Sequence, residues 1–189
     1  IRGAYTFTRI GIKGGELNLF TDEAGNYNYS FSKSSGNGGK SLMLNFNRIN
    51  VSDLKFSYDD RRPGLLIKGV FRYGRFKSRI RNEVIDFEGS SETRFDLFVL
   101  KDFAIRHSIP ARVQVGLNRN AKGVFFRKSS ITVENWDFLL TGFVADDNFI
   151  DIGITADNID ISKAVNLLPE KQRKALSAFD ASGSLKFNW

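Results

Sequence analysis

Apolar and polar positions alternate along most of this chain. Leu42, Leu44 and Phe46 fall on one side of an extended segment, with Met43, Asn45 and Asn47 on the other. The same pattern recurs at Leu54, Phe56 and Tyr58, and at Val113, Val115 and Leu117. It returns at Ile150, Ile152, Ile154 and Ala156, and again at Leu185, Phe187 and Trp189. A period of two places each set on one face of a β-sheet. One apolar and one polar face is the pattern of an antiparallel sheet with one side wet.

Short turn-like segments punctuate these runs. Gly14-Gly15 divides Tyr5–Ile12 from Glu16–Thr21, and Asp22–Asn26 precedes a further strand at Tyr27–Ser32. Asn118–Gly123 and Asp146-Asp147-Asn148 read as hairpin connections. Connections this short predict a meander rather than parallel crossovers, which need a dozen or more residues. Residues 33–41 read as a flexible Gly/Ser loop. The stretch from Arg79 to Thr93 reads as a strand with a polar loop. One helical insertion is predicted over residues 160–179. Ile161, Val165 and Leu168 are spaced four and three apart, Asp160 or Ser162 can cap the start, and Pro169 opens a second short turn carrying Leu176 and Phe179.

Composition strengthens the β reading. There are 18 Phe against 5 Tyr and 2 Trp, and Phe favours pleated, half-buried surfaces. The 17 Gly and only 3 Pro suit tight turns with few chain breaks. The chain has no Cys, which excludes disulfides and thiolate metal sites. It contains no run of the ~20 apolar residues needed to span a bilayer as a helix. It begins at Ile1 rather than Met and ends in a strand-like run, so it reads as a piece of a longer protein. A net charge of +7 is compatible with anionic partners of several kinds and selects none.

Few residues carry candidate chemistry. Gly38-Gly39-Lys40-Ser41 ends like a phosphate-binding loop, but Ser34 stands where that loop needs Gly. A strand pattern also follows where a helix is required, so no nucleotide binding is expected. His107 is the only His, and no carboxylate flanks it in sequence to orient it. The Asp residues at 146, 147 and 151, and at 157 and 160, lack calcium-loop spacing and read as a turn and a helix start. No catalytic residue, metal site or cofactor is therefore expected, and the chain is read as a non-enzyme. Arg75, Lys77, Arg79 and Arg81 form a basic stripe on one face of a strand, with Phe76, Ser78 and Ile80 opposite. The stripe is a candidate contact for anionic lipid head groups. No exposed aromatics interleave with it, so nucleic acid is not expected as a partner.

Three segments together resemble the AsmA-like family of bacterial envelope proteins. The first runs from Phe7 to Phe20, followed by Glu23-Ala-Gly-Asn-Tyr-Asn28, and is similar to an early strand pair ending in a Gly/Asn turn. The second, Ile49–Asp60, resembles a strand with a Tyr-Asp pair at its end, following a variable polar loop. The third, Ala156–Glu170 with Phe179–Lys186, resembles a strand, a Leu-Leu-Pro helical turn and a Gly-containing return strand. The stretch from Arg61 to Trp136 matches only in strand character. The resemblance implies a periplasmic location, an inner-membrane anchor outside this chain, and further β-structure beyond it. It implies a curved sheet bearing an apolar groove for lipid chains, and no catalytic residues.

The expectation is therefore a single mainly β fragment over residues 1–189. It has a curved, twisted antiparallel sheet, an apolar groove-like face and one short helical element. Candidate groove-lining residues are Leu42, Leu44, Phe46, Leu54, Phe56, Val113, Val115 and Leu117. The expected partner is a phospholipid or other envelope lipid, and the expected role is lipid transfer between membranes or envelope homeostasis. The alternative is a binding or structural β-sandwich of a surface or polysaccharide-associated protein, in which the same residues face a second sheet and stay dry.

Overall fold

A computed structural model of the chain describes residues 4–28, 43–81, 84–145, 149–176 and 183–188. Strands account for 74% of it. They are β1 (Ala4–Phe7), β2 (Ile10–Lys13), β3 (Glu16–Thr21), β4 (Met43–Asp60), β5 (Leu65–Arg81), β6 (Val84–Leu100) and β7 (Phe103–Ile105). They continue as β8 (Ile109–Asn120), β9 (Gly123–Val133), β10 (Trp136–Ala145), β11 (Ile150–Asp160) and β12 (Ser184–Asn188). Two short helices, α1 (Ile161–Leu167) and α2 (Glu170–Leu176), lie between β11 and β12 on either side of Pro169, where the sequence places the helical insertion. The predicted loop at 33–41 and the Asp146–Asn148 turn lie outside the described residues, as do residues 177–182.

All the strands belong to one curved sheet that does not close on itself. From β4 to β12 it is an antiparallel meander in the order β4-β5-β6-β8-β9-β10-β11-β12, with β7 folded back against β6. The first edge departs from expectation, because β1, β2 and β3 all pair with β4 in parallel. Gly14-Gly15 is therefore not a hairpin turn. Ala4 faces Met43, Ile10 faces Ile49 and Glu16 faces Lys55, so β1–β3 form one interrupted edge strand in constant register. The two glycines have φ of 70° and 90° and step the chain past a kink. The Gly14 N–H donates to the Ser52 carbonyl at 2.8 Å, which keeps the register through that step. Residues 22–42 supply the long connection that a parallel return requires.

Irregularities recur across the long strands. Asp53 in β4 has φ of 52° and stands opposite Gly14 in register. The β5–β6 ladder slips between Phe71 and Tyr73, beside it. A bulge in β4 lies between Phe46 and Ile49, and one in β9 lies near Lys128, whose φ is 47°. Each reverses the phase of the alternation, so one face is followed by register rather than by counting residues.

Followed in this way, one face is mainly apolar, with Ser78, Ser91 and Thr93 buried among its hydrophobic side chains. It carries Val51, Leu54 and Phe56 of β4, opposite Gly74, Phe71 and Gly69 of β5. Across the next ladders it carries Phe87 and Phe95 of β6, then Val113, Val115 and Leu117 of β8, and Phe126 and Ile131 of β9. Among the described residues a buried cluster is formed by Trp136, Ala156 and Ile159, with Ala164 and Leu167 of α1 packed over it. The opposite face is polar over β5, β6 and β8. Near the β9–β10 end it bears a small aromatic group, Phe125, Phe143 and Phe149, with ring centroids 5.3 and 5.8 Å apart.

Candidate functional site

The apolar face is organised around aromatic rings lying over glycines. Phe56 sits 4.6 Å from Phe71 and 6.0 Å from Phe95, centroid to centroid. Phe71 contacts Phe76 at 6.3 Å, and Phe76 stacks on Phe87 at 5.5 Å. The rings thus form a continuous ribbon over β4, β5 and β6. The glycines beneath are what let them lie low. A Cβ at Gly69 would meet the Phe56 ring at 2.9 Å, and one at Gly89 would overlap Phe76 and the Arg75 carbonyl. Phe7 of the edge strand stacks on Phe46 at 5.4 Å and lengthens the apolar strip.

Six of the predicted lining residues are brought onto this face. Phe46 stands opposite Ser78, Leu54 opposite Phe71 and Phe56 opposite Gly69. Val113, Val115 and Leu117 stand opposite Ser91, Gly89 and Phe87. All six are half-buried and none is sealed from solvent. Leu42 lies outside the described residues, and Leu44 is placed only as a strand residue paired with Tyr5. Sequence reasoning left out Phe71, Phe87 and Phe95, and named Phe76 only as lying opposite the stripe. The available signal was the interleaving of Phe with Gly at Gly69, Gly74 and Gly89.

The basic stripe lies on the other side of the sheet. Arg75 stands opposite Asn50 and Ser90, Lys77 opposite Glu88, and Arg79 opposite Asp86. Arg81 ends the strand opposite Val84, and all four are exposed. Lys77 is ion-paired with Glu88, and Arg75 donates to the Tyr73 hydroxyl. The sheet thus lies between this stripe and the apolar face.

Other candidate chemistry stays dispersed. His107 is exposed between β7 and β8. Its neighbour Ser108 donates to Asp96 at 2.8 Å, while Arg94 donates to the same carboxylate at 2.7 Å. The Arg94 guanidinium is the main reason the Asp96 carboxyl sits below its usual range, with Ser108 adding to it. Residue 43 onward is strand β4, so no helix follows Lys40-Ser41 as a phosphate loop requires. Among the described residues no group of three His, Asp or Glu side chains is gathered as a metal site. Among them, too, no helix is long and apolar enough to cross a membrane. A comparison of the chain with family models, curated proteins and solved structures found no match in any of the three.

Proposed function

We propose that this chain is part of an AsmA-like envelope protein, and that its apolar face carries the hydrocarbon of membrane lipids. One observation supports this reading above the others. The ribbon from Phe95 through Phe56, Phe71 and Phe76 to Phe87 is continuous, yet its members are half-exposed. A sheet with one apolar face must cover it with helices, a second sheet or a ligand. Among the described residues α1 covers only the Trp136–Ile159 end, and no second sheet faces the ribbon. An exposed apolar surface of this extent marks an interaction site. Hydrocarbon fits a strip made mainly of Phe, Val and Leu, in which the central hydroxyls of Ser91 and Thr93 are buried and hydrogen-bonded to each other at 2.9 Å.

On this reading the protein works in the periplasm, anchored to the inner membrane through segments outside this chain. Its role is lipid transfer between membranes or envelope homeostasis. The sheet binds rather than catalyses. Native mass spectrometry of the protein purified from bacteria without detergent tests it. Phospholipid-sized adducts, removed by organic extraction and restored by incubation with vesicles, are the expected result. A protein that never carries lipid and takes none from vesicles would overturn the reading.

A further inference from the structure

A cleft of about 880 Å³ lies among the basic side chains opposite the ribbon, with Phe76, Phe87, Val115 and Leu117 of the strands beneath forming part of its lining. Six cations line it, Arg48, Arg75, Lys77, Arg79, Arg127 and Lys128, against two carboxylates, Asp86 and Glu88, an excess of four positive charges. Its construction differs from that of an ordinary solvated strand face. The β4 bulge sets both Asn47 and Arg48 against Lys77 of β5. The β9 bulge inserts an extra residue at Arg127–Lys128, against β8 between Gln114 and Leu117. Through the ladders Lys77–Glu88 and Glu88–Gly116, the two bulges fall in one row across the sheet. Bulges re-aim side chains, and here each places a cation at one rim of the cleft. Between the rims Gly116 contributes no side chain, and a Cβ there would overlap the Arg127 carbonyl. The two carboxylates are held by exposed ion pairs, Lys77–Glu88 and Arg127–Asp86, which are weak enough for an incoming anion to rearrange.

A second cleft of about 610 Å³ shares Ser90 and Gln114 with the first and continues along the strands. It is lined by hydroxyls, amides and carboxylates, including Ser130, Thr132, Asn135 and Asp137. We propose that the two clefts form one site for a phosphorylated oligosaccharide, the phosphate held in the row of cations and the sugar hydroxyls along the polar trench. Nucleic acid fits less well, because base stacking needs aromatic platforms. The aromatic lining the second cleft, Tyr73, is already engaged by Arg75 at 5.3 Å from its ring. The site is independent of the lipid reading, since it lies on the other face of the sheet.

Calorimetric titration at low salt with pentamannosyl phosphate, neutral mannopentaose, inorganic phosphate, a short single-stranded DNA and phosphatidylglycerol vesicles tests the proposal. Pentamannosyl phosphate should bind at least about tenfold more tightly than each of the others. The double variant Arg48→Gln/Lys128→Asn should weaken it by about tenfold or more. Asn is chosen at 128 because it tolerates the left-handed backbone there. Lys13→Gln/Arg106→Gln removes equal charge from exposed positions elsewhere and should leave binding unchanged. Inorganic phosphate, DNA or the vesicles binding as tightly as the phosphosaccharide would overturn the assignment. So would an equal loss in the two double variants, or no binding of the phosphosaccharide at all.

Discussion

Asp60 ends β4 buried, with a relative exposure of 5%, and takes two hydrogen bonds from the Arg62 guanidinium at 2.9 and 2.7 Å. Those bonds are the main reason its carboxyl is held below the usual value, against the opposing effect of burial. A carboxyl with a depressed folded pKa adds stability that is full above its unfolded value, near 3.8, and is lost as pH falls through the lowered value. Thermal melting followed from neutral pH downward should therefore hold steady to about pH 4 and then fall. Asp60→Asn should lower stability by about 1–3 kcal/mol and flatten that acid limb. An acid limb of unchanged steepness in the variant would show that other groups produce it. Asn28 does comparable work at the same corner, where the end of β3 pairs with Asp59 and Asp60. Its side chain accepts from the Phe20 N–H at 2.8 Å and donates to the Asn18 carbonyl at 2.9 Å, standing in for a neighbouring strand along β3. The Gly/Asn turn was visible in the sequence, but its use as an edge cover was not, because that depends on where β3 lies. The Phe–Gly pairs were partly legible in the same sense. Both residue types are on show at Gly69, Phe71, Gly74 and Phe76, but only the ladder reveals which ring lies over which glycine. Gly89→Ala should lower stability by at least about 2 kcal/mol in denaturant unfolding, because the new methyl overlaps the Arg75 carbonyl and the base of Phe76.

At the scale of elements, the regular stretches were readable and the irregular ones were not. Val113, Val115 and Leu117 alternate without interruption, and β8 places them on one face as the period requires. The Asn118–Gly123 hairpin is also present, with Asn120 opposite Gly123. β4 is different. Leu42–Asn47 and Leu54–Tyr58 read as separate runs, yet both belong to one strand of 18 residues beginning at Met43. The bulge after Phe46 moves the apolar side to Ile49 and Val51, and the left-handed Asp53 moves it back to Leu54 and Phe56. Period-two counting loses the strand at each reversal. The parallel edge was hidden for another reason, since Gly14-Gly15 carries the same local signal as a hairpin turn. The helical insertion was legible from its caps. Asp160 accepts from the Lys163 N–H at 3.2 Å and so starts α1 where the sequence placed it. This makes the helix a separable element. Asp160→Ala should lower stability by about 1 kcal/mol, and Trp136→Ala should cost about 3–5 kcal/mol by opening the cluster beneath α1. If the helix caps the sheet locally, hydrogen exchange in the Asp160→Ala variant should rise in α1, Trp136 and Ile159 and stay unchanged in β5 and β6. A uniform rise through the sheet would show that α1 is part of the global fold instead.

For the whole molecule, the question is what a single-layered sheet does with an apolar side. Strands lie about 4.8 Å apart, so the six intervals from β4 to β11 span about 29 Å. That is close to the ~30 Å hydrocarbon thickness of a bilayer, so a single acyl chain, about half as long, fits across the strands with room to spare. The scale of the face is thus compatible with the proposed lipid, and substitution can distinguish a ligand-bearing surface from a sealed core. Phe46 and Val115 are half-buried and lie on the apolar side in β4 and β8. In a sealed core, an unpaired carboxylate at either position costs several kcal/mol, a large share of the ~5–15 kcal/mol that holds a typical domain together. On an exposed hydrocarbon-binding face the carboxylate still reaches water, so the fold survives while the charge sits where acyl chains must lie. Phe46→Asp and Val115→Asp should therefore keep a cooperative melt within a few degrees of the parent and lose most of the bound lipid. Lys68→Asp, exposed on the opposite side of β5, should change neither property. Melting and lipid content are to be measured on the same samples, by calorimetry and native mass spectrometry. Variants that unfold outright, from a parent that carries no lipid, would mean that the phenylalanine ribbon is one half of a core completed by another protein surface.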